Sequence, residues 1–265
     1  MKKIDLLKKI EEAKIKQKAG HSLEANQIFQ VLLKSNNDSF DLLYAYGLFC
    51  RDLKNFTLAK RIFLNLINKF PSSINSYILL AEILKIQNKF KDAEIVLKKA
   101  IKINPNHGDL LYNLSLLYFI LRNFDCALVY IDKAINVSIN NDIYKLLKSE
   151  IYINKFNIDE ALNTLENLNN INRIKKDRNI EIRINILLAD AFLKKRKYEK
   201  AETTLLNLIK KYQGLELAYL NLSILYNEKN QLSKSIKILK KGINLSPNFI
   251  PFYKNLASFY RNSGQ

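Results

Sequence analysis

The groups best suited to covalent chemistry are few and far apart. The chain of 265 residues holds two histidines, His21 and His107, and two cysteines, Cys50 and Cys126, with no tryptophan. A nucleophile needs a base and an orienting partner against it in a dry pocket, and a metal needs clustered ligands. His21 falls in a turn between two amphipathic stretches and His107 follows Pro105, so both read as isolated surface residues. Neither cysteine belongs to a pair with metal-ligand spacing. Cys50 stands in an apolar register and reads as a small buried hydrophobe. The six glycines are never closer than 22 residues, which excludes the clustered-glycine cradles of nucleotide-binding loops. Asp92, Glu94, Asp125 and Asp159 stand near helix starts, where the helix dipole favours acids without any acid–base role. No catalytic residue, metal ligand or cofactor is expected, and the chain reads as a non-enzyme.

Composition narrows the class further. The chain is 48% hydrophobic, which excludes disorder, and only 6 Gly and 4 Pro leave too few turns for a sandwich or barrel. Charges interrupt every apolar run in MKKIDLLKKIEEAKIKQK, and no stretch approaches the roughly 18 uncharged apolar residues of a membrane span. A soluble, reducing, cytoplasmic setting is therefore expected. The net charge of +18 would suit an anionic partner, yet Lys outnumbers Arg 35 to 8, and phosphate or base readers favour the guanidinium fork. Lys, Asn and Ile make up 100 of 265 positions, a bias that A/T-rich codons alone produce. Nucleic-acid binding is disfavoured. The charge is uneven, with net +6 over residues 1–170 and net +12 over 171–265. Lys194, Lys195, Arg196 and Lys197 crowd one turn, and Lys234, Lys237, Lys240 and Lys241 line one helix. These clusters read as a solvated outer face, with an acidic partner as the functional alternative.

The elements that carry these residues are set by a repeat. Ala25, Ala59, Ala93, Ala127 and Ala161 recur every 34 residues, and Ala201 and Ser235 continue the register after a step of 40. Pro71, Pro105 and Pro247 follow the same spacing. Within a period, Tyr77, Leu80, Ala81 and Leu84 form one helical face, and Phe90, Ala93, Leu97 and Ala100 form a second after a short turn. Pro105 stops the second helix. The pattern is helical hairpins in tandem, with small residues where helices cross closely.

Stretches such as YNLSLLY followed by Phe124, Ala127 and Ala134, and LNLSILY followed by Ser235, Leu239, Gly242 and Pro247, resemble the tetratricopeptide repeat. The resemblance covers almost the whole chain and implies an all-α, right-handed superhelical solenoid of antiparallel helix pairs. It places repeats at 6–39, 40–73, 74–107, 108–141, 142–175, 182–215 and 216–249, with a half-repeat at 250–265, as a single solenoid over residues 1–265. The fifth repeat departs from the pattern, with Lys148 where an apolar residue is usual, and residues 169–181 hold an insertion expected to distort the superhelix.

In this family the first helices line the concave surface that binds partners. Asn precedes the recurrent Leu in three repeats, as Asn113, Asn221 and Asn255. In glycosyltransferases bearing such repeats, asparagines at this place hold the backbone of an extended peptide, and an amide can both donate and accept. By resemblance these three are the leading contacts, with Tyr112, Leu116, Phe119, Leu220 and Ile224 around them. The Lys- and Asn-rich pattern that captures acidic chaperone tails is missing, since Ile10, Tyr44, Leu48, Ile78 and Glu82 occupy the comparable positions. The expected function is a protein-interaction scaffold that binds a protein or peptide segment in the groove. Two alternatives are the arm of a larger enzyme of glycosyltransferase or sulfotransferase type, and a basic nucleic-acid or membrane-surface binder. Leu256, Phe259 and Tyr260 lack a covering second helix, so the chain is expected to derive from something longer.

Overall fold

The computed structural model describes residues 3–175 and 177–262, with side chains described outside 173–175 and 262. Its first compact unit, Met1–Ser138, contains α1 (Lys3–Lys18), α2 (Ser22–Ser35), α3 (Phe40–Asp52), α4 (Phe56–Lys69), α5 (Ile74–Ile86), α6 (Phe90–Ile103), α7 (Gly108–Ile120) and α8 (Phe124–Val137). The second unit, Ile139–Gln265, contains α9 (Asp142–Asn154), α10 (Ile158–Lys175), α11 (Arg178–Lys194), α12 (Tyr198–Lys211), α13 (Glu216–Glu228), α14 (Leu232–Leu245) and α15 (Ile250–Asn262). Successive helices pair as antiparallel hairpins, and no strand occurs among the described residues.

The turn inside each hairpin is the same device each time. Lys54, Asn88, Arg122, Phe156, Arg196 and Asn230 all have φ between 56° and 62°, and Gly20 occupies the equivalent place at 86°. The next amide closes back on the helix, as in Asn55 N–H to Cys50 carbonyl at 2.8 Å and Asn123 N–H to Tyr118 carbonyl at 2.9 Å. This six-to-one bond with a left-handed residue is the Schellman ending, which glycine favours most. Here the register imposes it on Lys, Arg and Phe.

Packing within and between the hairpins pairs small residues with large ones. A Cβ on Gly47 would lie 2.8 Å from the Phe63 ring, and one on Gly242 would lie 2.6 Å from that of Phe252. Both rings are fully buried. The registers that hold Gly47 and Phe63 hold Ala81 and Leu97 in the next repeat, and Ala189 and Leu205 further on. Volume is conserved across the contact while its two halves trade size. Buried hydroxyls tie the register of Gly47 to that of the recurrent alanine. Ser115 donates to the Ala127 carbonyl, and Ser235 to the Ser223 carbonyl, each at 2.7 Å.

The insertion lengthens two helices. α10 has 18 residues and α11 has 17, against 13 or 14 in most others, and the chain between them is short. Asp177 caps α11 by accepting from the Asn179 and Ile180 amides, while buried Asn172 bonds both backbone groups of Asp177. Lys148 remains half-buried with its ammonium 5.4 Å from the Tyr152 ring, and α9 buries Leu146, Leu147, Ile151 and Ile153 around it.

Candidate functional site

Within unit 1, α1 touches α3 and α5 touches α7; within unit 2, α11 touches both α9 and α13. Among the described residues no two neighbouring second helices make comparable contact. First helices therefore lie on the tighter side of each stack, and their outward residues line its inner face.

The three asparagines have different fates. Asn113 donates to its own helix at the Asp109 carbonyl, 2.9 Å away, and Asn255 does the same to the Pro251 carbonyl at 3.0 Å. Asn221 makes no hydrogen bond among the described residues and lines a cleft of about 370 Å³. The surrounding positions also divide. Tyr112, Leu116 and Phe119 are half-buried along α7, with the Phe119 ring 6.0 Å from that of Phe124. Leu220 packs onto the core of Tyr219, Leu239, Phe252 and Phe259, whereas Ile224 faces the cleft beside Asn221.

That cleft lies between α11 and α13. Ala189, Asp190, Leu193 and Lys194 of α11 form one side, and Asn221, Ile224, Leu225 and Glu228 of α13 form the other, with Arg196, Tyr198 and Leu205 completing it. Asp190 is half-buried, with no hydrogen-bond or ion-pair partner among the described residues. Burial raises its carboxyl above the ordinary value, Lys194 partly offsets this, and Glu150 adds to it. Glu150 itself bonds Arg183 at 3.2 Å.

The four clustered basic residues separate in space. Lys194 and Arg196 stand exposed on the rim of the cleft, and the Lys194 ammonium is 5.2 Å from the ring of exposed Phe156. Lys195 pairs with Asp159, and exposed Lys197 precedes α12 without a side-chain cap. The four are adjacent in sequence, but they run from the last residue of α11 through the left-handed turn at Arg196 to the residue before α12, so their side chains diverge.

Unit 1 contains a comparable group of opposite sign. Lys85 of α5 is half-buried and without a partner among the described residues; burial lowers its ammonium below the usual value while Glu82 counteracts. Glu82 is shared with Arg51 at 3.8 Å. Neither Lys85 nor Asp190 stood out in the sequence. For Asp190 the available signal was a single charge in the apolar run LLADAF, at a register that carries Leu48, Leu116 and Ile224 in some repeats and Lys14, Glu82 and Glu150 in others.

Chemistry-bearing groups elsewhere stay dispersed. Cys50 is buried and its thiol is pushed up to about 11, chiefly by burial. His21 approaches Glu24 at 3.2 Å. The surface placement expected for His107 needs correction: it is half-buried at the start of α7, with Nδ1 enclosed and unbonded. Among the described residues no group of His, Cys, Asp and Glu could hold a metal, and no helix is long and apolar enough to cross a membrane.

A family model described as tetratricopeptide repeat matches residues 74–107 and 217–249. No curated protein sequence matches the chain. Among solved structures, a tetratricopeptide repeat protein from Parabacteroides merdae is 16% identical with a TM-score of 0.78, covering 96% of this chain and 98% of that one. The APC/C hetero-tetramer Cut9-Hcn1 matches at 17% identity and TM-score 0.70 over 93% of this chain, which spans 48% of that chain. Pseudomonas aeruginosa pilF matches at 15% identity and TM-score 0.61, covering 82% and 96%.

Proposed function

We propose that the chain, which matches the tetratricopeptide repeat at residues 74–107 and 217–249 and shares the fold of such proteins, acts as an interaction scaffold holding an extended peptide segment on its first-helix face. The observation that carries this reading is Asn221. Of the three asparagines that precede the recurrent Leu, it alone leaves its amide uncommitted, and it does so in a cleft beside Ile224. An extended backbone presents one donor and one acceptor per residue, and a side-chain amide can serve both without reading sequence. Leu193 and Ile224 offer apolar contact for a ligand side chain. Asn113 and Asn255 keep an acceptor oxygen but spend a donor on their own helix, so their contribution is smaller.

The test is selection of linear peptides from a random display library against the full chain, followed by affinity measurement. Asn221→Ala is expected to weaken selected peptides about five- to tenfold, the loss of roughly one hydrogen-bond pair near 1–1.5 kcal/mol. Asn113→Ala should change affinity less. Equal affinity for Asn221→Ala and the parent would move the binding surface elsewhere.

A further inference from the structure

We propose that the cleft in unit 2 takes a basic side chain of the bound peptide, a guanidinium by preference, with Asp190 as the residue that selects it. The inference rests on the peptide-groove reading above and adds the ligand's chemistry to it.

Depth decides which charge matters in this cleft. Its charged side chains are Asp190, Lys194, Arg196 and Glu228, which look balanced on paper. Lys194, Arg196 and Glu228 are exposed, and water and salt screen charges at such a rim. Asp190 is the half-buried member, with no direct partner among the described residues. Electrostatic interactions strengthen as water is excluded, so the inner carboxylate dominates what a ligand meets on entering. Lys194 is near enough to influence Asp190 but forms no ion pair with it, and its ammonium lies over Phe156 instead. Nearby Arg183 is already bonded to Glu150. The chain's own cations thus leave this carboxylate unanswered despite a net charge of +18.

A half-buried carboxylate without a partner costs stability, and a ligand cation would offset that cost. The walls suit a long basic side chain, because Leu193 and Ile224 can cover its methylenes while the head reaches Asp190. Guanidinium is favoured over ammonium, being less strongly hydrated and able to meet a carboxylate through two parallel bonds. A volume of about 370 Å³ admits one such side chain with the adjoining backbone beside Asn221.

The experiment uses random linear peptides displayed against the immobilised full chain at physiological salt. Selected peptides are expected to carry Arg at one fixed position. Replacing that Arg by norleucine, or Asp190 by Asn, should each weaken binding at least about tenfold, and both together no more than either alone. The Asp190→Asn protein should melt no lower than the parent, which separates lost recognition from lost folding. Peptides that depend on Asn221 but carry no basic residue, or whose Arg is indifferent to Asp190→Asn, would overturn the assignment and leave the groove reading standing. Indifference to both Asn221→Ala and Asp190→Asn would remove both readings. A dimer that dissolves on Asp190→Asn, with no peptide captured, would give the cleft to a second copy and also overturn the proposal.

Discussion

The first-helix faces of the two units are built on one register and furnished in opposite ways. Unit 1 presents Tyr44, Ile78, Tyr112, Leu116 and Phe119 beside the Arg51–Glu82 pair, with Lys85 as a half-buried charge that has no partner among the described residues. Unit 2 presents the Glu150–Arg183 pair, Asn221 and Ile224, with Asp190 as a half-buried carboxylate that has no partner among the described residues. The hairpin core tolerates this because its demands fall on other positions. Ala127 and Ala201 are fully buried at the same register, whereas Asn113, Asn221 and Asn255, next to the recurrent Leu, are only half-buried. A repeat scaffold can therefore hold its geometry while each stack acquires its own electrostatic preference.

The comparison breaks most visibly if the shared register is wrong. Ala127→Arg in unit 1 and Ala201→Arg in unit 2 should each cost about 3 kcal/mol or more, through overpacking and burial of a charge. Melting of the two variants should fall by similar amounts. A loss in one unit only would show that the two stacks are not packed alike.

Gly47 and Gly242 extend the test to the paired volumes. Alanine is the better helix former, so an open site would gain stability. Here the added methyl meets the buried rings of Phe63 and Phe252, and Gly47→Ala and Gly242→Ala should each destabilise by about 1–3 kcal/mol. Gly242→Ala combined with Phe252→Leu should recover part of the loss, since the registers trade size. Chemical denaturation of the single and double variants measures this.

The turns give a smaller effect of opposite sign. Arg122→Gly in unit 1 and Arg196→Gly in unit 2 relieve a left-handed conformation and should raise stability by about 0.5–1 kcal/mol, after the greater freedom of glycine in the unfolded chain is counted. Asn88→Gly should change little, because Asn tolerates this conformation.

The charges of Asp190 and Lys85 sharpen the contrast itself through pH. The folded state raises the Asp190 carboxyl pKa, so that group favours folding at low pH and loses this as pH rises through its folded value. Asp190→Asn should therefore melt slightly above the parent at pH 7, with the difference shrinking on acidification. The folded state lowers the Lys85 ammonium pKa, so its penalty is present at neutral pH and fades as the folded group loses its proton on alkalinisation. Lys85→Met should also melt slightly above the parent at pH 7, with the difference shrinking toward high pH. Opposite pH trends in the two variants would establish the opposed characters of the faces by melting alone.

Sequence by itself determined the helical hairpins, because recurring alanines, aromatics and prolines encode close crossings, filled gaps and stops through local spacing. It also put Cys50 in the core, where apolar periodicity suffices to place a residue. The repeated left-handed turns escaped notice, since only Gly20 of seven equivalent residues carries the glycine signal and backbone closure imposes the conformation on the rest. Asn113, Asn221 and Asn255 were equivalent in the sequence; tertiary structure separated them, because a side-chain amide turns either to its own helix or to a cleft according to what the neighbouring helix leaves open. Asp190 belongs wholly to that second category. Its charge is local, but its burial and lack of a partner depend on α9, α11 and α13 meeting, and desolvation is a property of the assembled stack that no single helix encodes.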